Sequence, residues 1–92
     1  MASYTEKNKE TVKELIDEYT ERSLDNYIRA TVKDVAIEKM NEGASAIDVA
    51  DAVFDCITKD YSGTEVMAAM SQQICPRAIL FMLRNEIISS LK

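Results

Sequence analysis

Arg77 and Arg84 are the side chains with the most to say about chemistry, because both interrupt an otherwise apolar C-terminal stretch. A guanidinium there covers apolar surface with its stem, or forms a two-pronged pair with a carboxylate or another anion. The nearest supply of carboxylates is Asp48, Asp51 and Asp55, spaced to fall on one face of a helix. That row reads as a solvated face or an acidic docking face. As a divalent-cation site it lacks oxygens from other helices and any Glu-x-x-His motif. General acid/base work needs two carboxylates facing each other across a cleft with unequal pKa values, which one exposed row does not offer.

The chain has no histidine and only two cysteines, Cys56 and Cys75. Serine and cysteine nucleophiles activated by imidazole are excluded, as are zinc sites that use it or that need four thiolates. No Asp-rich loop with a glycine at its sixth position appears, so no metal and no cofactor is expected. The two cysteines read as small buried hydrophobes, although Cys75 stands just before a helix start, where the helix field can activate a thiol. The five methionines, Met82 among them, read as core filler, and the tyrosines as partly buried anchors. No enzyme is expected from this inventory.

Positioning these residues falls to helices. Among 92 residues there are two glycines and one proline, too few turn residues for a sandwich or barrel of short strands. Gly43, Gly63 and Pro76 divide the chain, and each segment carries helical spacing. In the first, Val12, Leu15, Ile16 and Tyr19 share one face. Leu24, Tyr27, Ile28, Val32 and Val35 share another, swung by roughly 160° at about 100° per residue. A break between Glu21 and Asp25, with Ser23 capping the second half, explains the swing. The alternative is one helix from Thr5 to Asn41, about 55 Å long at 1.5 Å per residue.

Ser45 followed by Asp48 resembles a capping box and opens a helix over 46–60, with Val49, Ala50, Val53, Phe54, Ile57 and Tyr61 on its apolar face. A short helix follows over 64–74, and Pro76 opens a last one running to about Ser90. The last helix is apolar on two faces, with Phe81 and Ile88 as a second stripe beside Arg77 and Arg84. Such a helix belongs at the centre of its bundle or at an oligomer interface. The expectation is one all-α domain over 1–92, a bundle of four or five helices with a frayed N-terminus at about 1–9.

Sixteen acidic against eleven basic side chains give a net charge of -5. The glycine turn at Gly43 has helix-turn-helix spacing, but the recognition helix would carry Asp48, Asp51 and Asp55 toward phosphates. Nucleic-acid binding is therefore the disfavoured alternative. Length and charge resemble those of small acidic carriers, yet neither Ser-Leu pair, Ser23-Leu24 after Arg22 nor Ser90-Leu91 after Ser89, follows the Asp an attachment site needs. The longest apolar run, Ala78–Leu83, is far short of the about 20 residues that span a bilayer, so no membrane segment is expected. The first residues lack the basic and apolar blocks of a signal peptide, which points to the cytoplasm.

The functional expectation is a small acidic interaction or regulatory module that binds another protein. Its candidate interface is Arg77, Phe81, Arg84 and Ile88, and a homodimer through the last helix is the simplest cover for the apolar excess. A structural homo-oligomer without a separate partner is the second reading.

Overall fold

In the computed structural model a side chain caps the start of each of the first three helices. The structure describes residues 3–61 and 75–92. Helix α1 spans Glu6–Thr20, α2 Asn26–Asn41, α3 Ala46–Tyr61 and α4 Arg77–Leu91. The short helix expected over 64–74 lies outside the described residues.

The loose start expected at 1–9 is a capped helix end from Thr5 onward. Thr5 Oγ1 accepts from the Asn8 backbone N–H at 3.1 Å, and Asn8 Oδ1 accepts from the Thr5 N–H at 3.0 Å. This reciprocal box satisfies two of the donors a helix start leaves orphaned. Tyr4 then donates its hydroxyl to the Ala44 carbonyl at 2.5 Å, tying the beginning of α1 to the turn after α2.

The chain does break between Glu21 and Asp25, as the swing of its apolar face requires. The cap, however, is Asp25 and not Ser23: the Asp25 carboxylate accepts from the Ile28 N–H at 2.9 Å. Ser23 is still inside the turn, its own N–H bonded to the Thr20 carbonyl at 3.1 Å. Leu24 plugs into the core between them, which fixes where the turn must close. Asp25→Ala is expected to cost about 1 kcal/mol by loss of the cap, measured by urea unfolding. An unchanged midpoint would assign the helix start to Leu24 burial alone.

The turn from α2 to α3 is set by Gly43 at φ 78°, a left-handed conformation open to glycine at little cost. It lets the Gly43 N–H reach the Met40 carbonyl at 3.0 Å and the Ala44 N–H reach that of Lys39 at 3.1 Å. Those two bonds form a Schellman ending. Ser45 then caps α3, accepting from the Asp48 N–H at 3.2 Å. Pro76 precedes α4 in extended geometry and stands one residue outside the helix that it was expected to begin.

The packed face of each helix follows the same arithmetic. Val12, Ile16 and Thr20 are buried on α1, Ile28, Val32, Ala36 and Met40 on α2, Val49, Ala50, Val53 and Ile57 on α3, and Leu80, Leu83 and Ile87 on α4. Steps of three and four keep each set on one stripe. The helices form a square in which α1 packs on α2 and α4, and α3 packs on α2 and α4. Asp17 near the end of α1 reaches Arg29 near the start of α2, and Asp51 and Phe54 of α3 meet Arg84 and Phe81 of α4 in reverse order, so both pairs run antiparallel. Among the described residues the last helix therefore holds a corner like the other three helices.

Candidate interaction surface on the last helix

A helix at a corner of a four-helix square has half its circumference turned away from the core. On α4 the inward half is Leu80, Leu83 and Ile87. One step round the helix, Phe81 and Met82 remain 52% and 51% exposed. Phe81 leans on Phe54 of α3, with ring centroids 5.1 Å apart and planes tilted by 41°. That geometry is a favourable aromatic pairing, so the exposed ring is held rather than free to fold away.

The four expected interface residues separate into two kinds. Arg77 and Phe81 face outward. Ile88 is half-buried against the core. Arg84 lies across the α3–α4 boundary and donates from Nε to Asp51 Oδ1 at 2.7 Å. The opposite charges of α3 and α4 thus meet within one chain at this pair. With 30% of the Arg84 side chain and 46% of that of Asp51 exposed, water screens the pair. It is worth under about 1 kcal/mol rather than the several of a buried bridge.

Asp48, Asp51 and Asp55 line an open groove of about 480 Å³ beside the α2–α3 turn, together with Glu42 and Lys39. Asp48 and Asp55 are exposed. Among the described residues, no three potential metal ligands are grouped to hold an ion. Nor is any helix among them long and apolar enough to cross a membrane.

Three features were not read from the sequence. Met82 is surface and not filler; on a helical wheel it stands opposite Ile87, which the apolar composition of α4 obscures. Tyr27 is exposed rather than a half-buried anchor, because Ile28 takes the inward position in the first turn of α2. An ion cluster joins α1 to α2: Asp17 accepts from Lys33 Nζ at 3.0 Å and from Arg29 Nη1 at 3.3 Å. Spacing along one helix cannot reveal a cluster assembled across two.

No disulfide joins the cysteines. Cys75 is buried, and desolvation pushes its thiol up from the ordinary value, with a hydrogen bond to Ser23 pulling less strongly the other way. An acid whose folded pKa is raised stays protonated in the fold. Stability is therefore full below the ordinary thiol value of about 8.5 and falls as pH rises through it, where only the unfolded chain ionises. Cys75 is expected to react with a thiol reagent many times more slowly than Cys56 in the native protein, and equally fast in urea. Equal native rates, read by mass spectrometry, would show Cys75 to be accessible.

Fold and surface together define the class: a small all-helical bundle, with four helices among the described residues and a half-exposed aromatic and methionine on the last of them. No protein-family model, no curated protein sequence and no solved structure matches the chain.

Proposed function

We propose that the chain is a non-catalytic interaction or regulatory module that binds another protein through the outer face of α4. The observation that carries this reading is the adjacency of Phe81 and Met82, both about half exposed, on a helix whose opposite face closes the core. Aromatic and methionine side chains are enriched where proteins meet, and an aromatic held by a neighbour loses little entropy on binding. A structural homo-oligomer built through the same face is the second form of this reading, and the uncharged character of that face favours it. The acidic row on α3 weighs against nucleic acid, since phosphates would meet Asp48 and Asp55. Reduced thiols at Cys56 and Cys75 suit a cytoplasmic setting.

The test is affinity capture from an extract of the source organism with wild type and Phe81→Asp side by side. A protein retained by wild type and lost with the variant, at unchanged circular dichroism, supports the module. Equal capture by both removes α4 as the docking surface.

A further inference from the structure

The outer face of α4 is uncharged along its length. Ala78, Phe81, Met82, Asn85 and Ser89 are its exposed uncharged positions, while Arg77 and Glu86 stand at opposite edges. This occurs in a chain of which 29% of residues are charged. The positions Ala78, Met82, Asn85 and Ser89 follow the alternating four- and three-residue spacing of a seam where one helix packs along another. Phe81 and Ile88, seven residues apart, run along one side of that seam.

We propose that this face seats a second copy of the chain, with the two α4 helices antiparallel about a two-fold axis between Met82 and Asn85. The inference rests on the outer face of α4 being the docking surface and names its occupant. Two chains of net charge -5 repel over most of their surfaces. Along this face they meet without bringing like charges together, and no carboxylate or ammonium in the seam has to lose its water. A two-fold interface must also complement itself. In the antiparallel register the large Met82 lies against the smaller Asn85 of the other copy, and Ala78 against Ser89. On the flank, Phe81 then covers Ile88 of the other copy, hiding the exposed part of both. A parallel pair would stack Met82 on Met82 and leave Phe81 and Ile88 on opposite sides of the seam. One helix face is a small interface, so association in the micromolar range is expected.

Sedimentation equilibrium of the full chain, from low to several hundred micromolar, is the test. The mass is expected to rise from 10.3 kDa toward twice that value. Met82→Glu and Asn85→Glu are each expected to hold it at the monomer, with the urea midpoint little changed because both sites are exposed. Combining Met82→Lys with Asn85→Glu in one chain puts opposite charges across the antiparallel seam and is expected to restore the dimer. A parallel seam would oppose like charges and leave this variant monomeric. A wild type that stays at 10.3 kDa overturns the second copy. Phe81-dependent capture of another protein would then still support the module. A dimer indifferent to Met82→Glu overturns this face, and failure of the combined variant overturns the antiparallel register.

Discussion

Ile87→Ala is expected to lower the folding free energy by about 3–4 kcal/mol, the cost of deleting a fully buried aliphatic side chain and leaving its cavity. Ile87 has no exposed surface and sits on the inward stripe of α4, between α1 and α3. A domain of this size holds roughly 5–14 kcal/mol in total, so one truncation takes a large share of it. Met82→Ala, five residues away on the same helix, is expected to change stability by under about 0.5 kcal/mol, as surface substitutions do. Paired urea unfolding curves separate them. Comparable losses would mean that α4 is covered on both faces in solution, as a tight dimer would require, and the concentration dependence of the midpoint would then show it.

That contrast also marks how far the sequence carries. The helices were legible because their inward stripes repeat at three and four residues, and because Ser45, Gly43 and Pro76 act on neighbours within a few positions. Thr5 opens the single-helix alternative, but the box that holds it there is harder to read, for a related reason. Thr5 and Asn8 form a capping box in which Asn stands for the usual acidic partner, and the polar run around them hides it. Ser23 is a good cap by residue type, but so is Asp25 two residues on, and the sequence reading names only the first. Only the depth at which Leu24 packs decides between them. Met82 was misplaced because nearly every position on α4 is apolar or small, so composition alone does not say which side faces the core. The square of helices settles that by putting α1 and α3 against one half of the circumference.

Charge pairing between helices was legible only in part. The opposite charge of α3 and α4 suggested that Arg84 would meet Asp51 or Asp55, and the structure places its Nε on Asp51. It also exposes both members, so they are not the ion pair on which the fold depends most. The deeper cluster is Asp17 with Arg29 and Lys33. Only 16% of the Arg29 side chain is exposed, its Nη2 donates to Asn26, and its buried Nε has no hydrogen-bond partner. Burial of that guanidinium is tolerated because Asp17 stands beside it.

Asp17→Ala is therefore expected to destabilise the fold by about 2 kcal/mol, less than the 3–5 kcal/mol of a fully buried pair because 42% of the Asp17 side chain meets water. Removing the carboxylate leaves Arg29 and Lys33, both largely withdrawn from solvent, as neighbouring cations with nothing between them. Asp51→Ala removes one carboxylate as well, so it changes the net charge identically and serves as the control. Its expected cost is under about 1 kcal/mol. The net charge of -5 works against both effects, since losing an acid relieves general repulsion. A difference between the two variants must come from what each carboxylate faces. Combining Asp17→Ala with Lys33→Met should recover part of the loss, because the second change deletes one of the stranded cations and keeps its apolar stem. Urea midpoints that fall equally for Asp17→Ala and Asp51→Ala would show that burial of Arg29 adds nothing. Additive losses for Asp17→Ala and Lys33→Met would show that those two side chains do not interact across the α1–α2 boundary.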